Sequence, residues 1–374
     1  MRSLAALLLA FGLVLPAAAQ DEQEKPSWVG VWEGTIGRYP VVVCLDQRRN
    51  GDGQGSYYYL SQLKPIRLES RESIDSWIEG SSYSEDGSQD PPRWAIASVS
   101  HDRIGGSWHQ GERNLPIALT RIPEGAEESW FACESRNYLE PRSFAPDFET
   151  SADSIEGLDF ARMTFLPPAH LEDVHVGGFS FAPSQPGDPA ILDWLAARLP
   201  SGKVEDDVMQ CMAGAISLHG VDGYFERSHS PVFANGQLLS LVSGNSSYCG
   251  GAHPNHWQEY FTFDRQSGEQ LDPADWFVAE GIARGEYGGV LMQPALRAIV
   301  MQRWPDEETD NRECAGFASD HEWWSYLVER DGIRFQPDLA HAITPCEYEV
   351  SVPWGELEPV LSEGGKALRQ RAER

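Results

Sequence analysis

The sequence predicts an α+β protein: a small all-β, barrel-like N-terminal domain, followed by an α+β domain with a mainly antiparallel sheet. Two observations carry this. Short β-branched and aromatic runs recur between Trp28 and Pro123, separated by glycine, serine, asparagine and aspartate, as in a barrel or sandwich. Further along, helical and strand periodicities mix without regular β–α–β alternation, which favours α+β.

The first element is a targeting segment. Met1-Arg2-Ser3 is a short positive start, Leu4 to Leu15 an apolar core, and Ala17-Ala18-Ala19 before Gln20 a small-residue cleavage site. The apolar stretch falls short of the roughly 20 residues that span a bilayer. Residues 1–19 are therefore expected to be a signal peptide, leaving 355 residues that are periplasmic or secreted and without a membrane span. At about 100–200 residues per domain that length suggests two domains. The divisions expected are 20–123 for the barrel-like domain, 124–152 for a connector and 153–374 for the α+β domain.

In the first domain the strand candidates include Pro40-Val-Val-Val-Cys-Leu45, Ser56-Tyr-Tyr-Tyr-Leu60, Pro65-Ile-Arg-Leu68, Trp94-Ala-Ile-Ala97 and Leu115-Pro-Ile-Ala-Leu119. Asn50-Gly51-Asp52-Gly53 supplies residues that tolerate positive φ at a turn. Gly34-Thr-Ile-Gly37 before one apolar strand is echoed by Gly106-Ser-Trp108 before another, so the first and last strands are expected to pair and close the barrel. A small barrel is either filled or holds one small ligand. The aromatic set Trp32, Tyr57, Tyr59, Trp77, Trp94 and Trp108 fits both. Asp46, Asn50 and Asp52 lack the spacing and closing glutamate of a calcium loop.

The connector is rich in charge and proline but contains Trp130 and Cys133, which suggests that it is tied down. Beyond it, Asp188 to Leu199 reads as a helix with an acidic start, proline in the first turn and Ile191, Leu192, Leu195 and Leu199 at helical spacing. Val290 to Trp304 reads as another. Strands are expected at 237–243, 258–264 and 347–352, a hairpin turning at Asp331-Gly332, and a short terminal helix.

Cys44, Cys133, Cys211, Cys249, Cys314 and Cys346 are an even set, which in an exported protein favours disulfides over metal ligands or reactive thiols. Proximity in sequence suggests Cys44–Cys133, Cys211–Cys249 and Cys314–Cys346. The formal net charge of −28 and pI of 4.6 repel phosphate backbones and exclude nucleic acid as a natural partner. Such a surface steers cationic partners and keeps an exported protein soluble.

Residues 247–264, SYCGGAHPNHWQEYFTFD, offer Cys249, His253 and His256 as a possible zinc ligand set. Disulfide formation by Cys249 would remove it from that set, and no metal or other cofactor is expected. Gly244-Asn-Ser-Ser-Tyr248 departs from a nucleophile elbow at its last position, so Ser246 or Ser247 with His253 is a triad only on paper. Structurally, Gly250-Gly251 permits close approach, His253 can fix neighbouring backbone while partly buried, and an aromatic strand follows.

Ser247-Tyr-Cys-Gly-Gly-Ala-His253, Tyr260-Phe-Thr-Phe-Asp264, Ser267-Gly268, Leu271 and Asp275-Trp-Phe277 resemble the signature of a bacterial envelope domain of unknown function. That domain forms the extracellular part of the anti-sigma factor RsiV and accompanies a peptidoglycan deacetylase. Asp331-Gly332-Ile333-Arg334-Phe335, Val350-Ser-Val-Pro353 and Leu357 extend the resemblance over roughly residues 155–365. It implies an RsiV-like α+β envelope module rather than a catalytic site, with Tyr248, Gly250, Gly251, His253 and Asn255 as candidate binding residues. RsiV-like modules recognise lysozyme, a basic protein suited to an acidic surface. No apolar run of membrane length follows residue 19, so signalling of the RsiV kind is not implied, and the first half is only loosely lipocalin-like. The expectation is an exported envelope protein, not an enzyme, that binds a basic protein such as lysozyme or a cell-wall glycan, peptidoglycan. The alternatives are an envelope hydrolase using His253, and small-ligand binding in the barrel.

Overall fold

The computed structural model describes residues 25–71, 73–80, 90–123, 129–286, 288–305 and 309–374, and counts of elements are of these residues. The expected signal peptide and the acidic stretch 124–128 lie outside them. Eight antiparallel strands form a closed barrel: β1 (Gly30–Ile36), β2 (Tyr39–Gln47), β3 (Gly53–Tyr59), β4 (Ile66–Ser70), β5 (Ser76–Glu79), β6 (Arg93–Val99), β7 (Arg103–Gln110) and β8 (Arg113–Arg121). Closure comes from β1, which pairs with both β2 and β8, placing Ile36 opposite Ile117. The two echoing runs therefore meet near the seam. At Gly34 an added Cβ would sit 2.0 Å from the Ala118 carbonyl oxygen, so the seam requires glycine.

The barrel interior is filled. Trp32, Tyr57, Trp77 and Trp94 are buried, as is Trp108, while Tyr59 is half-buried. Trp28 meets Trp77 edge-on at 5.6 Å, and Tyr57 meets Trp94 at 5.0 Å, geometries that add to area burial. Among the described residues, the cavity between Trp28, Trp77, Trp94 and Ile104 is about 10 Å³, at most one water position. Apart from half-buried Tyr59, the aromatic set is core.

From residue 129 onward, the stretch read as a connector is packed structure. Ala132–Glu134 forms a 3-10 turn, α1 spans Arg136–Leu139, and the second sheet already begins at Phe148. Cys44 bonds to Cys133, and beside it buried Asp46 accepts the Ala132 and Cys133 backbone N–H groups at 2.8 and 3.3 Å. Burial pushes the Asp46 carboxyl up to about 6, although both N–H bonds pull against it. Outward barrel residues Val31, Val42 and Tyr58 pack into one cluster with Tyr138, Leu139, Val176, Met209 and Ile216. Tyr58 donates to the Tyr138 carbonyl at 2.6 Å, and Arg142, fully buried, pairs with both oxygens of Asp222 at 2.8 and 2.7 Å. The halves thus share a core.

The second half is built on a six-stranded sheet of β9 (Phe148–Ile155), β10 (Leu158–Phe165), β11 (Val174–Phe181), β12 (Tyr224–Ala234), β13 (Leu238–Tyr248) and β14 (Asn255–Asp264), in spatial order β14-β13-β12-β11-β10-β9. Only β11 and β12 run parallel, and α2 (Asp188–Ala196) and α3 (Asp207–His219) fill the crossover between them, as a parallel connection requires. Two further sheets follow, β15 (Ile282–Arg284) with β16 (Val290–Met292), and β17 (Trp324–Val328), β18 (Gly332–Pro337) and β19 (Val350–Pro353). The remaining helices are α4 (Pro294–Met301), α5 (Thr309–Asp320), α6 (Trp354–Leu357) and α7 (Glu363–Ala372). The whole is the α+β architecture expected, with a mainly antiparallel sheet after the barrel. No helix among the described residues is long and apolar enough to cross a membrane.

Two elements differ from the sequence pattern. Val290–Met292 is strand β16, not the start of a helix, because Pro294 disfavours helix at Gln293 and is itself suited to the first helical position. The strand expected at 347–352 is shortened to Val350–Pro353, since His341–Cys346 forms a 3-10 turn held by the Cys314–Cys346 disulfide.

Candidate functional site

The signature turn divides into an anchored part and an exposed part. Cys249 is bonded to Cys211 of α3, so it is neither thiolate ligand nor nucleophile. Gly250 has φ +96°, and a Cβ there would lie 2.6 Å from the Gly214 carbonyl oxygen, so the turn needs glycine to rest on the helix. Tyr248 lies with its hydroxyl 2.8 Å from His219 Nε2, which also sits 3.2 Å from the Gly250 carbonyl oxygen. Through these two contacts His219 ties the strand end to the helix end.

Gly251, His253 and Asn255 lie on the exposed side. His253 is not partly buried as the sequence reading expects: it is exposed, and its Nδ1 donates to the Pro254 carbonyl at 2.9 Å. Its ring stacks on His341 at 4.5 Å and 6°, and His256 meets His341 at 5.2 Å and 63°. The fold thus gathers three imidazoles, one of them from the turn after β18. Parallel stacking points ring nitrogens side by side rather than at a common centre, and no group of three potential ligands among the described residues has metal-holding geometry. Ser246 donates to the Tyr224 hydroxyl at 3.4 Å.

A polar cleft lies on the neighbouring sheet face. A cavity of about 270 Å³ opens between the end of α2 and the start of α3, lined by Val176, Arg198, Lys203, Asp207, Phe225 and Arg227. Register extends this face in two cross-strand rows, Arg227–Asn245–Trp257 and His229–Ser243–Glu259. Arg227 donates to Asp207 at 2.9 Å and to Asn245 at 3.2 Å, and Asn245 donates to the Ser243 hydroxyl at 3.1 Å. The Arg198 guanidinium lies 3.5 Å above the Trp194 ring, and the exposed Trp257 donates to Glu259 at 3.3 Å.

His229 sits beneath this network. It is 4% exposed, its ring meets Trp194 edge-on at 5.7 Å, and neither ring nitrogen has a hydrogen-bond partner among the described residues. Burial lowers its pKa to about 4, with Arg227 and Arg198 adding to the effect, so the ring is neutral near pH 7. Arg198, Arg227, His229 and Asn245 carry no signal in the sequence, because only the register of β12 and β13 and the packing of the end of α2 bring them together. Guanidinium, amide, hydroxyl, carboxylate and an exposed indole in one place suit polar recognition of a bound molecule.

No protein-family model matches the chain, and no curated protein matches it. Among solved structures, it is similar to a DUF3298 family protein from Pseudomonas aeruginosa PAO1, with 14% identity and a TM-score of 0.34 over 59% of this chain and 97% of the other. It is also similar to a member of the same family from Bacteroides fragilis NCTC 9343, with 14% identity and a TM-score of 0.35 over 62% of this chain and 99% of the other.

Proposed function

We propose that this chain is an exported binding protein of the bacterial envelope, periplasmic or secreted, whose ligand is a basic protein of the lysozyme type. The observation that carries this reading is the formal net charge of −28 at pI 4.6, which raises encounter rates with cationic partners. The resemblance of residues 247–277 to RsiV-like modules supports it, as do three disulfides, which suit an oxidising compartment. In the signature turn, Tyr248 and Gly250 are structural anchors, while Gly251, His253, Asn255 and the adjoining His341 offer the contact surface.

The cleft favours a second reading, binding of a cell-wall glycan. Exposed Trp257 beside Arg227, Asn245 and Glu259 pairs an apolar ring face with hydrogen-bonding groups, as a saccharide requires. Pull-down on immobilised lysozyme and on insoluble peptidoglycan separates the two. Retention on lysozyme that is released by salt supports the first reading, and retention on peptidoglycan that is lost in Trp257→Ala supports the second. Retention on neither overturns both.

A further inference from the structure

Glu79 closes β5 and is half-buried. Its Oε1 accepts three hydrogen bonds, from the Tyr57 hydroxyl at 2.7 Å, Trp94 Nε1 at 3.1 Å and Trp108 Nε1 at 2.5 Å. The donors come from β3, β6 and β7, so one oxygen is fixed from three other strands. All three are neutral and orient the carboxylate without cancelling its charge. No ion pair to Glu79 and no hydrogen bond to its Oε2 occurs among the described residues. A carboxylate held in aromatic surroundings without a counter-charge favours an incoming cation.

The rings continue outward from this carboxylate. Tyr57 meets Tyr59 edge-on at 5.5 Å, and Tyr59 meets Tyr39 at 6.0 Å. Tyr59 is half-buried and Tyr39 is 44% exposed, so the series of rings reaches solvent at Tyr39, whose ring already has the Arg38 guanidinium 5.3 Å from its centroid. Ring faces and a carboxylate are the two elements that bind alkylammonium groups. The filled interior below, with its cavity of about 10 Å³, limits any ligand to the rim.

We propose that Glu79, held in place by buried Tyr57, and the rings of Tyr59 and Tyr39 form a rim site for an organic ammonium group, independent of the partner of the whole chain. The ammonium is either that of a free quaternary amine or that of a lysine side chain on a protein. A purely structural role, in which Glu79 only staples four strands, needs an acceptor but not a charge. Glu79→Gln keeps the acceptor and removes the charge, and so separates the two.

The test is a titration of the mature chain, followed by the indole N–H resonances of Trp94 and Trp108. Choline and N-acetyl-lysine methylamide are the cationic probes, and 3,3-dimethylbutan-1-ol is the uncharged isostere of choline. The site predicts saturable shifts with at least one cation and none with the alcohol. It also predicts that Glu79→Gln weakens binding by about tenfold or more while its Tm stays close to that of the parent. Response to choline alone assigns a free amine, and response to the lysine derivative assigns a protein side chain. No shift with either cation, an equal response to the alcohol, or unchanged affinity in Glu79→Gln overturns the proposal. Should Glu79→Gln fail to fold, exposed Tyr39→Ala carries the test: weakened choline or lysine binding supports the site and unchanged affinity overturns it.

Discussion

In the barrel, Glu79 places one oxygen among three donors from Tyr57, Trp94 and Trp108; in the sheet, His229 is buried with neither ring nitrogen bonded. The barrel's polar group is oriented by its own core, so it can sit beside tryptophans at little cost. The sheet's imidazole carries a desolvation penalty of about 1–3 kcal/mol for unmade hydrogen bonds. Elsewhere in the same half, a buried pair between the start of α2 and the residue after β14 is saturated. Arg265 donates to both oxygens of Asp188 at 2.8 and 2.7 Å and to the Asn235 carbonyl at 2.8 Å. Burial, which would raise the Asp188 pKa, is outweighed by Arg265 and by the Ser184 and Gln185 N–H groups, which hold it below the ordinary carboxylate value. What the fold satisfies around Arg265 and Asp188 it leaves open at His229, and the open group lies beside the cleft.

The largest expected effect tests the saturated side of this contrast. Arg265→Ala strands Asp188 as a buried unpaired charge and should lower unfolding free energy by about 3–5 kcal/mol in a denaturant titration. A loss under about 1 kcal/mol would mean that the pair does not organise the start of α2.

The pH response comes next, and it has opposite signs in the two halves. His229 has a folded pKa of about 4, depressed from 6.5, so its stability contribution is full above pH 6.5 and lost as pH falls towards 4, by up to about 3 kcal/mol. Asp46 has a folded pKa of about 6, raised from 3.8, so it favours the folded state at low pH and loses that contribution as pH rises from 3.8 to 6. Unfolding titrations between pH 4 and 7 should show a shallower rise with pH in His229→Phe, and a steeper one in Asp46→Asn. Parallel profiles for all three proteins would remove both assignments.

Smaller still, Glu79→Leu leaves three donors without their acceptor and should cost about 2–3 kcal/mol. At the bottom of the scale, His253→Ala should change stability by less than about 0.5 kcal/mol in thermal unfolding, because the ring is exposed and bonds only its neighbour. A loss of 2 kcal/mol or more there would restore a structural role for that histidine.

The barrel was legible because its closure is written locally. The glycine runs at Gly34 and Gly106, the strand runs between them and the aromatic set all lie within one stretch of chain. The helix at Asp188–Ala196 was legible from its proline and apolar spacing. The site was much less so. His341 reaches His253 only because the β18–β19 connection folds back beside the signature turn. The cleft rows depend on strand register, which a single sequence does not print, and His229 follows the same alternation as its apolar neighbours Phe225 and Pro231. Glu79 carried no signal at all, since its three donors lie 22, 15 and 29 residues away.

The central claim, binding of a basic protein through an acidic surface, is tested most directly by calorimetric titration of residues 20–374 with lysozyme at two ionic strengths. Attraction of this kind predicts saturable heat at low salt, and an affinity that weakens by about tenfold or more when salt shortens the Debye length from about 30 Å to about 8 Å. No binding heat at low salt, or an affinity indifferent to salt, would contradict it.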